Sequence, residues 1–189
     1  SIPVVSHENG QFQVYPDYKE INKYTGVLYP YNYEVFRRRL ADNHLEKQAL
    51  EFHRATAAWS ALCYKADIEM CMRTPGMGSF QLLDLIDYPG QGSALVGLMD
   101  VFWKNKGGMS EETFAGFCNK VVPMAEFKAY CWSNEEEFQA RLIVANYDEA
   151  DLKELPLRWK LETVTGKVVA KGEQVISVKQ GAVESPGEI

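Results

Sequence analysis

Apolar positions follow two different patterns along this chain, and the pattern changes near Pro123. Before Pro123, short apolar runs alternate with longer segments in which apolar residues recur every three or four positions, which predicts strands separated by helices. After Pro123, apolar and polar residues alternate in stretches rich in β-branched side chains, as in antiparallel strands. We therefore expect two domains, over residues 1–122 and 123–189.

The first apolar run, Ile2–Ser6, is short and rich in β-branched residues, which is typical of a buried parallel strand. A second such run lies in the stretch GSFQLLDL, just after a Pro-Gly pair that would end a helix. Between the two runs, helical spacing predicts one helix that begins near Pro30 or Asn32, and a longer helix from about Leu45 to Arg73.

Because helices connect the two runs, we expect the runs to pair as adjacent parallel strands, with Val4 and Val5 in one and Phe80, Leu82 and Leu83 in the other. The longer helix carries a stripe of apolar residues at helical spacing, which we expect to lie in the core. This stripe consists of Phe52, Trp59, Leu62, Ala66 and Met70.

Capping and turn signals divide the remainder of the chain. Ser110 is a predicted N-cap for one short helix. Thr165-Gly166 predicts a hairpin turn between two β-rich stretches. Only about four strands fit after Pro123, fewer than the roughly seven of a complete immunoglobulin-like sandwich. We therefore expect an incomplete antiparallel sheet with at least one unpaired edge.

Composition and charge exclude several classes of partner. The chain has 189 residues, of which 46% are hydrophobic, and this is enough for one sizeable core or two small ones. Its net charge is -6, and its lysines and arginines are scattered rather than clustered. Nucleic acid and anionic membranes are therefore not expected as partners. No apolar run approaches the length of a membrane span.

The four cysteines have neither the spacing of a zinc site nor that of a disulfide framework. Cys63 and Cys71 lie on the predicted long helix, about 12 Å apart along its axis, which is too far for a disulfide. We expect Cys63, Cys71, Cys118 and Cys131 to be buried free thiols, and we predict neither a metal nor a cofactor.

A His-Glu pair in the stretch SHENG raises the question of catalysis. A zinc protease motif is excluded, because the position that needs a second histidine holds Gln11 and because Gly10 disfavours a helix. Instead, His7 and Glu8 fall at the carboxyl end of the first predicted strand, where ligands collect in α/β folds.

Acidic residues also follow the second predicted strand. Asp84 lies among leucines, so its carboxylate needs a partner or a polar cavity. Asp87 opens the turn-like stretch DYPG, where capping of the turn and a functional role remain equal alternatives. Asn9, Gln11 and Gln91 could bind hydroxyl groups, although a solvated loop is the simpler expectation for each of them.

A long connection rich in aromatic residues follows the first strand, and it is longer than an ordinary loop between a strand and a helix. Its tyrosines could form the walls of a site, although packing against neighbouring structure is the simpler expectation for most of them. They are Tyr15, Tyr18, Tyr24, Tyr29, Tyr31 and Tyr33.

Three stretches together carry a resemblance to a known family: VVSHENGQFQVYPDYKEINKYTG, the segment that includes LLDLIDYPGQGSALVGLMDVFW, and FCNKVVPMAEFKAYCWSNEEEFQARLIVANY. They resemble the end of the catalytic barrel and the start of the next domain in bacterial proteins similar to glycoside hydrolase family 2, the β-galactosidase and β-glucuronidase group. The resemblance implies an α/β plus β fold, the C-terminal part of a (β/α)8 TIM barrel followed by an incomplete immunoglobulin-like antiparallel β-sandwich.

The same resemblance assigns roles to individual residues. Glu8 matches the catalytic nucleophile of the family. Leu83-Asp84 stands where the family carries a Trp-Asp pair, so the tryptophan of the sugar pocket is missing. The family's acid/base glutamate lies upstream of the matched region, so this chain is expected to lack it. His7, Asn9, Asp84 and Asp87 are expected to bind substrate, with simple packing an equal alternative for His7.

The function implied is that of a fragment of a retaining glycoside hydrolase that acts on β-linked carbohydrate, periplasmic or secreted, and inactive by itself. A non-catalytic carbohydrate-binding or scaffold protein with the same fold is the alternative, because a fold alone does not determine function. The expected partners are a carbohydrate substrate and the rest of the parent chain, and exposed apolar surface predicts self-association of the fragment.

Overall fold

A computed structural model of the chain describes residues 2–88 and 94–189. The chain divides into two compact units, the first formed by residues up to 71 together with 76–114 and the second by 72–75 together with 115–189. No helix in the described ranges has a stretch long and apolar enough to cross a membrane.

Two strands and two α-helices form the regular part of the first unit. The elements are β1 (Val4–Gly10), a 3-10 helix (Tyr18–Lys23), α1 (Tyr31–Asp42), a 3-10 turn (Glu46–Gln48), α2 (Ala49–Arg73) and β2 (Met77–Leu83). The short helix α3 (Glu111–Phe117) begins at the end of this unit. The Ser110 hydroxyl accepts a hydrogen bond from the Thr113 amide at 3.1 Å, which confirms the predicted N-cap.

The prediction of a parallel pair is confirmed. β1 and β2 pair in parallel, with Val5 opposite Ser79, Ser6 opposite Phe80 and Gly10 opposite Leu83. The predicted burial of the first strand is wrong, however, because the side chains of Val4 and Val5 are exposed. β1 also extends to Gly10, so His7 and Glu8 lie inside the strand rather than beyond it.

The fold-class prediction, the C-terminal part of a TIM barrel followed by an immunoglobulin-like sandwich, is wrong. A barrel repeats strand and helix units, but after β2 the described chain runs through isolated bridges, such as that between Ile86 and Met99, to a single short helix. The described ranges contain seven strands in three small sheets, and most of the strands are antiparallel. The chain is therefore rich in β-structure without the alternation that a barrel needs.

Most of the α2 stripe that was expected to lie in the core is exposed. Trp59, Leu62 and Met70 are exposed, whereas Phe52 and Ala66 are half-buried. The opposite face is buried, and it carries Ala57, Ala61, Tyr64 and Ile68. Because both faces of α2 carry apolar residues, helical periodicity alone did not distinguish the buried face from the exposed one. The exposed stripe is consistent with self-association, which remains a prediction.

The second unit contains five strands. They are β3 (Val121–Phe127), β4 (Ala140–Asn146), β5 (Leu152–Glu162), β6 (Val168–Val178) and β7 (Val183–Glu188). β4 lies between β3 and β7 in an antiparallel sheet, whereas β5 and β6 form a separate antiparallel pair. Val122, Val144, Ala145 and Val178 are among the fully buried side chains of this unit.

The predicted hairpin turn is confirmed between β5 and β6. The Gly166 amide donates to the Thr163 carbonyl at 2.9 Å, and the Thr163 amide donates to the Lys167 carbonyl at 2.9 Å. Gly166 has a φ of 82°, which glycine adopts without strain. The four cysteines are free thiols, as predicted, although only Cys71 is fully buried.

The loop before α3 packs closely on α2. A β-carbon at Gly108 would lie 2.3 Å from the Ala57 carbonyl oxygen, so this loop can approach the helix only without a side chain. We expect Gly108→Ala to lower the free energy of unfolding by about 1–3 kcal/mol, the usual cost of overpacking. Chemical denaturation monitored by circular dichroism measures this cost.

Gly26→Ala is the matched control for that variant. It lies in the same unit, and a β-carbon there would meet nothing within 4 Å. The control should leave stability unchanged or raise it by up to about 1 kcal/mol. Equal stability of the two variants would show that the loop does not pack against α2 in this way.

Candidate functional site

A β-bulge in β1 determines the position of Glu8. Ser6 lies opposite Phe80 and Asn9 opposite Leu82, so β1 contains one more residue than β2 over this interval. Within the bulge Glu8 has a φ of 58°, in the left-handed region that residues other than glycine rarely adopt. Such a bulge changes the direction in which a side chain points, and bulges are frequent beside active sites.

The bulge brings His7 and Glu8 together at the surface. The Glu8 side chain is 53% exposed, and one of its carboxylate oxygens lies 3.6 Å from Nε2 of His7. Nδ1 of the same imidazole lies 2.8 Å from the side-chain oxygen of Gln81 on β2. When Nδ1 carries the proton it donates to Gln81, which fixes the imidazole beside the carboxylate.

Asn9 points the other way, into the interior of the first unit. Its Nδ2 donates to Asp67 at 3.1 Å and to Sγ of Cys71 at 3.3 Å. The same Asp67 carboxylate accepts from the Gly10 amide at 3.0 Å. Asn9 therefore holds β1 against α2, and its predicted role in binding substrate has no support from this position.

The end of β2 is held by Tyr64 of α2. The buried Tyr64 hydroxyl donates to the carbonyl oxygens of Asp84 and Val96, at 2.8 and 2.7 Å, which share its one hydrogen. Asp84 directly follows β2, and the peptide bond between Leu83 and Asp84 is cis. Because β1 and β2 are parallel, Glu8 and Asp84 lie toward the same end of the pair, as predicted.

Asp87 belongs to a buried group of charged residues that sequence patterns did not predict. We call this group the buried charge cluster, and it consists of Glu20, Lys23, Asp87, Asp100 and Lys106. Asp87 is only 2% exposed, and its Oδ1 accepts from the Gly97 amide at 2.9 Å and from Nζ of Lys106 at 2.5 Å. Asp87 thus holds the Gly97 backbone and pairs with Lys106, and a functional role for it stays a prediction.

Asp100 anchors the other side of the cluster. Its Oδ1 accepts from the amides of Phe102 and Lys104, at 2.8 and 2.9 Å, and its Oδ2 pairs with the ammonium group of Lys23. Despite burial, these hydrogen bonds and the Lys23 charge lower the pKa of Asp100, so this carboxylate stays ionised. In the Asp87–Lys106 pair, burial raises the pKa of Asp87 and lowers that of Lys106, while the partner's charge opposes each shift.

Glu20 is the cluster member that titrates near neutral pH. It is 3% exposed, and its Oε2 accepts a hydrogen bond from the Tyr33 hydroxyl at 3.0 Å. Burial raises the pKa of Glu20 to about 7, the Tyr33 hydrogen bond lowers it, and the charges of Asp100 and Asp87 raise it again. A carboxyl group with this pKa can carry a proton at physiological pH.

A cleft of about 450 Å³ adjoins the cluster. It is lined by residues 23–28, 86–88, 101 and 102, so it includes Lys23 and Asp87. Of the tyrosines in the long connection, Tyr24 lines this cleft, Tyr33 contacts Glu20, and Tyr29 and Tyr31 are exposed. Tyr24 of the long connection therefore forms part of a cleft wall, which is one of the two roles predicted for these tyrosines.

Other predicted candidates take structural positions or lie outside the described residues. The Gln11 side chain turns back toward the Glu8 carbonyl oxygen, 3.4 Å away. Gln91 lies outside the described residues, as does the Pro-Gly part of the predicted turn after Asp87. In the described ranges, no three His, Cys, Asp or Glu side chains are arranged to hold a metal ion.

The contact between Gly10 and Tyr64 gives a test of how the bulge is supported. A β-carbon at Gly10 would lie 2.6 Å from the Tyr64 ring, and Gly10 has a φ of 103°. We expect Gly10→Ala to be strained in two ways, by the positive φ and by a clash of the added carbon with the Tyr64 ring. The control Gly76→Ala has a φ of 80° and nothing within 4 Å of the added carbon, so it is strained only by the positive φ.

Gly76→Ala should therefore cost about 1–2 kcal/mol of unfolding free energy, and Gly10→Ala a further 1–3 kcal/mol, approximately. Denaturation of both variants with the same probe gives the difference. If the two variants lose the same stability, the Tyr64 ring does not support the end of β1.

The high pKa of Glu20 predicts how stability depends on pH. A glutamate in the unfolded chain loses its proton at about pH 4.3, whereas folded Glu20 keeps its proton up to about pH 7. Between these values the native state binds more protons, so stability falls as pH rises. Relative to Glu20→Gln, the wild type should lose up to about 1.4 kcal/mol per pH unit in this window.

Glutamine preserves an acceptor for Tyr33 and does not titrate, so Glu20→Gln should remove this slope. Denaturation at several pH values between about 5 and 8 measures it, with the exposed Glu137→Gln as control. A stability difference between wild type and Glu20→Gln that stays constant with pH would show that Glu20 ionises as it does in the unfolded chain.

Residues 136–189 match a family model described as a domain of unknown function (DUF8488). These residues lie in the second unit and include β4 to β7. No curated protein matches the chain. The matched residues include neither the bulge at Glu8 nor the buried charge cluster, both of which lie in the first unit.

Proposed function

We propose that this chain carries the nucleophile, Glu8, of a retaining glycoside hydrolase that acts on β-linked carbohydrate. The observation that carries the proposal is the left-handed Glu8 in the bulge of β1, with its carboxylate about half exposed. A strained residue with an exposed reactive group, on a strand held from behind by α2, is typical of a functional site. The resemblance of SHENG to the nucleophile motif of glycoside hydrolase family 2 supports the same role.

The chemistry needs two carboxyl groups about 5–5.5 Å apart in a retaining enzyme. Glu8 attacks the anomeric carbon and forms a glycosyl ester, while the second carboxyl group protonates the leaving oxygen and then activates water. The family resemblance implies that this acid/base residue is supplied from outside the chain. His7, which contacts Gln81 and lies beside Glu8, would orient the Glu8 carboxylate or a sugar hydroxyl.

A non-catalytic carbohydrate-binding protein is the second candidate function. The cleft beside the buried charge cluster favours it, because aromatic and apolar walls with a few polar groups are typical of ligand sites. The two candidates differ in one property, which is whether Glu8 forms a covalent bond with a sugar.

A mechanism-based label tests this property on the chain itself. Dinitrophenyl 2-deoxy-2-fluoro-β-glycosides have a leaving group that departs as a stable anion, so bond cleavage needs no general acid. The Glu8 carboxylate oxygen forms a bond to the anomeric carbon, and dinitrophenolate leaves with the bonding electron pair. We expect the intact mass to rise by one fluoroglycosyl group, with peptide mapping to Glu8 and release of one dinitrophenolate for each label.

Glu8→Gln should abolish labelling, because the neutral amide is not a nucleophile. Glu154→Gln is the matched control, since Glu154 is also an exposed glutamate with a left-handed backbone, at a φ of 51°. That control should label as the wild type does. Absence of label, or label that persists in Glu8→Gln, would refute the nucleophile role and favour the carbohydrate-binding alternative.

A further inference from the structure

The cleft beside the buried charge cluster has properties that the role of Glu8 does not explain. Four large hydrophobic side chains that line it are exposed, and they are Val27, Leu28, Tyr88 and Phe102. Exposed apolar side chains that share one concave surface indicate an interaction site rather than chance. The cleft therefore offers an apolar surface to some ligand.

Asp87, which lines the cleft, has a buried carboxylate oxygen with no hydrogen-bond partner in the ranges that the structure describes. Oδ1 of Asp87 accepts from Gly97 and Lys106, but Oδ2 is buried and has no partner among the described residues. Buried oxygens of this kind are rare in folded proteins, and each calls for an explanation such as a bound molecule. A ligand hydroxyl donating to Oδ2 would satisfy it.

The charges around the cleft favour a neutral ligand. Lys23 is paired with Asp100 and Lys106 with Asp87, so these groups offer little net attraction to an anion or a cation. The Lys23 ammonium group lies 5.4 Å from the centre of the Phe102 ring and is about 30% exposed, so it retains a donor for a ligand oxygen. A neutral ligand that both donates and accepts hydrogen bonds fits this set of groups.

We propose that this cleft binds a neutral pyranose ring, with one hydroxyl donating to Oδ2 of Asp87, another accepting from Lys23, and the C–H face of the ring on Phe102 and Tyr24. Oδ2 is shielded from solvent, so the proposed hydrogen bond requires the lining side chains to move aside when the ring binds. The choice of a sugar among neutral polyols rests on the proposed function, whereas the charge and shape of the ligand follow from the cleft.

Titration of the isotope-labelled full chain, followed by NMR, tests this site. The neutral probes are methyl β-D-glucopyranoside and methyl β-D-galactopyranoside, and the charged probes are the methyl β-D-glucuronide anion and the methyl β-D-glucosaminide cation. We expect saturable shifts at residues 23–28, 86–88, 101 and 102, with at least fivefold tighter binding of a neutral probe. Shifts elsewhere only, or tighter binding of a charged probe, would overturn the proposal.

Val27→Trp blocks the cleft from its rim without disturbing the core, because Val27 is fully exposed. It should weaken binding of the neutral probe at least tenfold. Val164→Trp makes the same change at another fully exposed valine, in the turn of the β5–β6 hairpin, and should leave binding unchanged. Equal affinity of the two variants would place the sugar outside this cleft.

Glu8→Gln separates this proposal from the proposed catalytic function. It should leave the affinity of the cleft for the neutral probe unchanged, since Glu8 does not line the cleft. Binding in the cleft without covalent labelling would refute the nucleophile and retain the sugar site. Labelling at Glu8 without binding in the cleft would refute the sugar site and support the nucleophile role.

Discussion

The position of the Tyr64 side chain is the constraint on which the first unit depends. Tyr64 is completely buried, its ring lies where a side chain on Gly10 would be, and its hydroxyl donates to the carbonyl oxygens of Asp84 and Val96. One side chain of α2 thus contacts the end of β1, the residue after β2 and the segment that leads to the buried charge cluster. A buried hydroxyl of this kind is costly to replace, because its loss leaves carbonyl groups unsatisfied, at about 1–3 kcal/mol each.

The two candidate sites of this unit lower the stability of the fold for different physical reasons. At Glu8 the cost is in the backbone, where a left-handed glutamate is held in a bulge while its carboxylate remains in contact with water. In the buried charge cluster the cost is desolvation, since pairs such as Asp87 and Lys106 lie out of solvent. Buried ion pairs contribute little net stability, so an apolar core would have served the fold equally well. Both features therefore favour binding or chemistry over stability as the reason for their presence.

Local patterns in the sequence predicted the elements of this fold better than their arrangement. The parallel pairing of β1 and β2 followed from two apolar runs joined by helices, and the hairpin at Gly166 followed from its turn residues. The prediction of a barrel was wrong because two strands do not determine how many more will join them. The prediction of which face of α2 is buried was wrong because small residues such as Ala57 pack in the core while the large Trp59 is exposed. The bulge at Glu8 and the cluster around Asp100 depend on pairings between distant segments, which spacing does not reveal.

The parallel pairing of β1 and β2 also has a consequence for the order of folding. β1 pairs with a strand that follows the 25-residue helix α2 along the chain, whereas β5 and β6 are joined by a short turn. Closing a long loop costs more entropy than closing a short one, so the β5–β6 hairpin is expected to form early and the β1–β2 pair late. The bulge that holds Glu8 exists only once that pair has formed. When the complete unfolded chain refolds, the candidate nucleophile thus belongs to a part that becomes ordered late, and a partly folded chain would carry the residue without its geometry.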